Sequence, residues 1–218
     1  MARPPKTRTF HEQGRTLTLR DRGGHHELLI GEVPILTSAA LGTERDFGRL
    51  AAKLWVSEAP RVLVGGLGFG STLAGVLEVA PTRAEIQVAE KLETVVRLAT
   101  GELSPLVAGA LTDPRVRLVR EDVVDVIREA RDLDVILLDV DNGPEWASFP
   151  ENARLYDDQG LRAAHAALTP GGAFAVWSGY PADAFLRHLR GAGLRPSVQK
   201  FEEHGRVQAR AYIGKKRR

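Results

Sequence analysis

Arg61-Val-Leu-Val-Gly-Gly-Leu-Gly-Phe-Gly70, together with Glu90 twenty residues further on, decides how the rest of the chain is read. Val62 to Val64 is a short apolar run of the kind that forms a buried strand. It stops at a glycine cluster, and a helix is expected to open near Ser71. Glycine lets the backbone turn sharply and approach a ligand where a Cβ would collide. The next apolar run, Ala84 to Ala89, ends in Glu90, where an acid can accept hydrogen bonds from both hydroxyls of a ribose. Strand, glycine turn, helix and acid-tipped second strand describe a nucleoside-binding βαβ unit, with Gly65, Gly66, Gly68, Gly70 and Glu90 as its contacts. The glycines fall as Gly66-x-Gly68-x-Gly70, and Ser71 stands where a dinucleotide fingerprint would place its third small residue. The tighter spacing favours a ligand of the S-adenosylmethionine type, which has no pyrophosphate to seat on the helix N-terminus.

Working outward from that loop, strand signals at residues 61–65, 84–89, 115–119, 133–139 and 173–178 alternate with helical stretches near 71–79, 91–101, 123–131 and 157–168. Such alternation predicts a parallel sheet covered on both faces by right-handed crossovers. After a helix at 181–191, strands at 195–202 and 206–214 flank Glu203-His204-Gly205, so an antiparallel strand should close the sheet. Upstream, Leu17 and Leu19 alternate with polar residues, Gly23-Gly24 turns, Glu27 to Ile30 returns, and Val33 to Leu36 comes after a second turn at Gly31-Glu32. This is a small β-meander, too thin to stand without packing on the remainder of the chain. Thr43 and Asp46 read as a capping pair for a helix whose Phe47, Leu50, Ala51, Leu54 and Trp55 share one apolar stripe. The division expected is residues 1–40 as N-terminal extension and meander, and 41–218 as a Rossmann-like S-adenosylmethionine-binding domain.

Composition excludes more than it identifies. With 43% apolar and 27% charged residues, the 218-residue chain has the make-up of an ordinary globular protein. A net charge of +2 does not call for nucleic acid, and the basic Lys215–Arg218 segment reads as a solvated tail. The absence of cysteine removes disulfides, thiolate chemistry and Cys-based zinc sites. The histidines do not group into a metal site. No run approaches a membrane span and no apolar signal segment comes after the first ten residues, so the cytoplasm is the expected location.

Asp122 lies after the third parallel strand, where an acid can accept from an adenine amino group while Val123 packs on the ring; Asp122 reads equally well as the N-cap of the next helix. Between Arg131 and Arg154 there is no Lys or Arg, while Asp132, Asp134, Asp139, Asp141, Glu145 and Glu151 fall in the interval. Asp132 and Asp134 are expected to flank a strand on the surface. A one-signed segment at the carboxyl end of a strand suits a cationic acceptor. Asp139 and Asp141 are the candidates for general base or ammonium orientation. Asn142, Glu145, Trp146 and Tyr156 are expected beside the acceptor, the aromatic rings holding a cation by their faces. Trp177 could join that wall or simply pack in the core. Asn152 is a weaker candidate of the same kind.

These segments carry a family likeness. Val62-Leu-Val-Gly-Gly-Leu-Gly-Phe-Gly70, Val88-Ala-Glu90, Asp113-Pro-Arg-Val-Arg-Leu118, Asp134-Val-Ile-Leu-Leu-Asp139, Leu155-Tyr156 and Leu168-Thr-Pro-Gly-Gly172, with the meander ahead of them, span nearly the whole chain. The chain resembles the spermidine synthase-like branch of the class I S-adenosylmethionine-dependent methyltransferase fold. The resemblance implies a mostly parallel twisted sheet with an antiparallel C-terminal strand, and an adenosyl-sulfonium ligand. It also exposes departures. Polyamine aminopropyltransferases have an aspartate in the glycine loop, and Gly68 takes its place. Their Tyr-His-Glu segment is absent, the region reading Phe47-Gly48-Arg49 and Ala51-Ala52-Lys53. Their Asp-Ser-Ser-Asp-Pro loop is here Asp139-Val-Asp-Asn-Gly-Pro144.

The leading expectation is a transferase that binds S-adenosylmethionine, or its decarboxylated form, and alkylates a small amine-bearing acceptor. Gly68 puts methyl transfer slightly ahead of aminopropyl transfer. An NAD-dependent oxidoreductase and a non-catalytic nucleoside-binding module are the alternatives. An exposed face of the meander could serve as a homodimer contact.

Overall fold

The computed structural model describes residues 6–38, 41–107, 109–140, 142–145, 150–203 and 205–218. A first, antiparallel sheet has the order β1-β2-β3-β4, from β1 (Lys6–Glu12), β2 (Arg15–Asp21), β3 (His26–Ile30) and β4 (Val33–Thr37). Leu17, Leu19 and Leu28 point from this meander into the main core, which is what such a thin sheet needs to be stable. Helix α1 (Leu41–Arg49) runs on into a 3-10 turn at Leu50–Lys53. It begins at Leu41, so Thr43 is a buried helical residue and not a cap. The expected stripe holds: Phe47, Leu50, Ala51 and Leu54 are buried, with Trp55 packed against the core.

The main sheet comprises β5 (Arg61–Gly65), β6 (Glu85–Ala89), β7 (Val116–Val119), β8 (Leu133–Leu138), β9 (Leu168–Ser178), β10 (Arg195–Glu203) and β11 (Arg206–Lys215). Its order is β10-β11-β9-β8-β5-β6-β7, with β9 through β7 parallel and β11 alone reversed, antiparallel to β9 on one side and to β10 on the other. On one face lie α1, α2 (Ser71–Val79), α3 (Glu93–Thr100), the short α4 (Ser104–Val107) and the meander; on the other lie α5 (Val123–Glu129), α6 (Asp158–Ala167) and α7 (Phe185–Gly191). Alternate residues of one strand, Val62 and Val64 against Leu63, serve the two separate cores, as a strand buried on both faces requires. This is a Rossmann-like α/β fold with an antiparallel C-terminal strand. Among the described residues, no helix is long and apolar enough to cross a membrane.

Two further details differ from the sequence reading. The first strand, β1, lies in the stretch ahead of the meander that the sequence marks only as an N-terminal extension. Asp134, expected on the surface, is only 4% exposed, and its carboxylate accepts from the backbone N–H of Val56 and Arg61. It fixes the approach into β5.

Candidate active site

Strand order reverses between β5 and β8, and the crevice beyond their carboxyl ends is where an open parallel sheet binds ligands. The Asp139 N–H donates to the Gly65 carbonyl at 2.8 Å, and the Gly66 N–H donates to Ala89 at 2.9 Å. The three strand ends are thereby stitched together at the glycine loop. Gly66 has φ +91°, and a Cβ there would lie 2.2 Å from the Asp139 carbonyl oxygen. No other residue fits this crossing.

Two adjoining cavities open at the reversal point. The inner one is lined by Gly66, Gly68, Glu90, Lys91, Asp122, Val123, Asp139 and Asn152, with Ile35 and Leu36 of the meander closing it. The outer one is lined by Glu27, Glu44, Asp139, Asn142, Trp177 and Tyr180, and shares Ile35, Leu36, Gly68, Asp139 and Val140 with the first. Asp139 and Gly68 therefore stand at the junction of the two.

Glu90 is buried, and its two carboxylate oxygens accept from the backbone N–H of Leu67 at 3.0 Å and Leu92 at 2.8 Å. It clamps the glycine loop to the start of α3 while lining the inner cavity. Burial raises its proton affinity above the ordinary glutamate range, and the backbone donors at Leu92 and Leu67 oppose that rise. Asp122 is the N-cap of α5, accepting from the Val124 N–H at 3.0 Å, and it also meets Lys91 at 3.4 Å and Arg154 at 2.7 Å. Burial pulls its carboxyl upward, but the Val124 amide and the two cations outweigh it and hold it below the usual range. Lys91 reaches on to Asn152 at 3.1 Å. Val123 lies beneath Gly65, within contact distance of where a Cβ would project.

Asp139 receives the Thr72 hydroxyl at 2.5 Å. Burial lifts its carboxyl to about 6, with the Thr72 hydrogen bond pulling the other way. Glu44, on α1, is pushed well above the ordinary range by burial and by the neighbouring Asp139 charge. The close approach of α1 to α2 that brings Glu44 here depends on two glycines. A Cβ at Gly48 would meet the Thr72 carbonyl at 2.1 Å, and one at Gly75 would meet the Arg45 carbonyl at 2.0 Å.

The remaining expected contacts divide. Asn142 lines the outer cavity, and its carbonyl accepts from the Gly179 N–H at 3.2 Å. Glu145 is exposed and takes no part in either lining. Tyr156 corrects the sequence reading: it is buried in the core on the far face of the sheet, edge-on to Phe185 with ring centroids 6.0 Å apart. The aromatic wall is built instead from Trp177 and Tyr180. Asp141, Trp146 and His204 lie outside the described residues. Sequence reasoning missed Glu27, Glu44, Thr72, Lys91 and Tyr180. A usable signal existed for Thr72 and Glu44, since Gly48 and Gly75 at matching places in adjacent helices mark a close crossing.

No protein-family model matches this chain, and no curated protein resembles it in sequence. Solved structures do. A spermidine synthase in complex with the transition-state analogue AdoDATO superposes with a TM-score of 0.75 at 17% identity, covering 96% of this chain and 71% of its own. The spermidine synthase of Thermotoga maritima gives 0.75 and 17%, over 95% and 71% of the two chains. A probable spermidine synthase from Corynebacterium glutamicum gives 0.63 and 17%, over 97% and 80%. The fold is the one these spermidine synthases have, over nearly the whole of this chain. At this identity the likeness is one of fold.

Proposed function

We propose that the protein is a transferase that binds an adenosyl-sulfonium donor in the inner cavity and alkylates a cationic amine held in the outer one. The observation that carries this reading is the outer lining. Among the described residues it presents three carboxylates, Glu27, Glu44 and Asp139, two aromatic rings, Trp177 and Tyr180, and neither Lys nor Arg. Carboxylates attract the ammonium and ring faces hold the cation; once it is deprotonated, the ring faces donate no hydrogen bond to it and leave the amine lone pair free. Glu90 would accept from the ribose hydroxyls, Gly65 to Gly70 would admit the sulfonium arm, and Asp122 and Val123 would meet the adenine.

The sulfonium is already a good leaving group, so the protein's task is to align the amine and remove one proton. Asp139 stands at the junction as the base. The amine N–H bond breaks as an Oδ–H bond forms, the nitrogen lone pair makes the new N–C bond, and the C–S electrons leave on sulfur as a neutral thioether.

On sequence alone, Gly68 favours methyl transfer. The lining supports aminopropyl transfer from a decarboxylated donor instead. A methionine carboxylate would enter a junction bounded by Asp139 and Glu44, and Lys91, the one Lys or Arg lining either cavity among the described residues, already serves Asp122 and Asn152. Leu36 sits 3.3 Å from where a Gly68 Cβ would be, so the meander fills the space that a carboxylate at position 68 would use. Calorimetry with S-adenosylmethionine, its decarboxylated form, methylthioadenosine and NAD on one preparation tests the donor. Mass spectrometry of mixtures with amines tests the transfer. Preference for the carboxylated donor would restore methyl transfer, and binding of NAD alone would overturn the whole reading.

A further inference from the structure

Thr72 is the second residue of α2 and only 2% exposed. Its hydroxyl oxygen lies 2.5 Å from Asp139 Oδ2 and 3.2 Å from the Glu44 carbonyl oxygen. The hydroxyl has one hydrogen and two acceptors. The Thr72 backbone is pinned by the Gly48 crossing, so the side chain has little freedom to turn elsewhere. We propose that Thr72 is a positioning residue for the proton-accepting step, its O–H holding the Asp139 carboxylate in place and restraining its proton affinity, with the Glu44 carbonyl as an alternative acceptor. The inference rests on the reading of Asp139 as base.

The surroundings create the need for such a donor. Asp139 is faced by Glu44 of α1 and Glu27 of β3 in the outer cavity, with Tyr180 also in that lining, and by Glu90, Lys91 and Asp122 around the inner cavity. Most of these groups are carboxyls, which offer Asp139 no cation, and Lys91 is engaged by Asp122 and Asn152. In that setting a hydroxyl hydrogen bond is strongest to the ionised carboxylate, because the acceptor then carries full charge in a poorly solvated place. When Asp139 is protonated the same hydroxyl can turn to the Glu44 carbonyl, so neither state strands a buried donor. The residue thus keeps Asp139 ionised enough to act near neutrality and oriented while it does so.

The test compares the full chain with Thr72→Val, which keeps the shape and removes the hydroxyl, and Thr72→Ser, which restores it. Thr72→Ala serves the same comparison without the second branch should the valine variant not fold. Carbon-detected NMR tracks the Asp139 carboxyl, assigned by its loss in Asp139→Asn. We expect the titration midpoint to rise by about one pH unit in the valine variant, as loss of a hydrogen bond to a charged group implies, and to return in the serine variant. The acidic limb of the turnover profile should move with it, while donor affinity by calorimetry stays within twofold. A midpoint that does not move, or one that moves while the turnover limb stays put, overturns the role of Thr72. A wild-type protein with no turnover on any donor–amine pair removes the reading of Asp139 as base and the inference with it; the NMR titration distinguishes that failure from the first.

Discussion

A carboxyl that titrates near 6 in the junction of two cavities must be ionised to accept a proton, so activity should climb as pH rises through that region. The kcat/KM profile of the free enzyme is the measurement, and a profile flat between pH 5 and 7 would show that another group is the base. Asp139→Asn should lower turnover by about 10²- to 10⁴-fold, the range for loss of a general base, with donor affinity little changed. Gly66→Ala asks a different question of the same spot. Its Cβ would sit 2.2 Å from backbone oxygen at a left-handed φ, so calorimetry should find donor binding lost rather than weakened. The place of Gly66, Glu90, Asp122 and Asp139 at the crevice was legible in the sequence because each lies just beyond the end of a strand, and strand ends converge wherever the order reverses. Glu27, Glu44 and Tyr180 were not, because they arrive from other elements and only packing brings them to the crevice. Tyr156 failed for the converse reason: nearness in sequence to an acidic loop says nothing about which face of the sheet a ring will join.

Among the elements, β1 was the hardest to read. Lys6-Thr-Arg-Thr-Phe-His-Glu12 offers one buried side chain, Phe10, among exposed polar ones, so its period is almost invisible. Its value lies at its end. The Glu12 carboxylate accepts from the Glu93 N–H at 2.6 Å and the Thr94 N–H at 2.9 Å, capping α3, whose own N-cap residue Leu92 has no side chain able to do so. Glu12→Ala should therefore destabilise the protein by about 1–2 kcal/mol, a cap plus an acid at the positive end of the helix dipole. Urea unfolding would show it as a lower midpoint at unchanged slope. The central strands and their helices were legible because β5 and β8, buried on both faces, are near-continuous apolar runs; β9 begins at Leu168, five residues before its expected start, because Thr169-Pro-Gly-Gly172 reads as a turn. The start of α1 was not, because Thr43 and Asp46 imitate a cap that the folded chain places inside the helix.

At the scale of the molecule, the buried acids set a pH signature. A carboxyl whose folded value is raised above its unfolded one binds its proton more tightly in the native state. Its contribution is therefore favourable at low pH and is lost as pH rises from about 4 through about 6 for Asp139. Asp113 works in the opposite sense, held at about 2 by Arg115, so that its contribution is present above about pH 4 and fades only in strong acid. Comparing wild type with Asp139→Asn isolates the first effect. The variant's gain in Tm should be larger at pH 7.5 than at pH 4.5, and an equal gain at both would contradict the raised value. The two sheets are also mutually dependent, since Ile35 and Leu36 from one close the cavities built on the other.

The order of the main sheet has a consequence for how the chain is made. Strand β10 reaches the sheet only through β11, which lies between it and β9 and sets Ala211 opposite Trp177. A nascent chain that has emerged as far as β10 therefore has an open edge along Ala173–Ser178, the segment that β11 pairs with, all of it buried in the finished fold. The wall carrying Trp177 cannot be completed until β11 has been synthesised, so ribosome-bound chains should be at once inactive and adhesive until that moment. Synthesis, rather than any ligand, would be the first gate on this site.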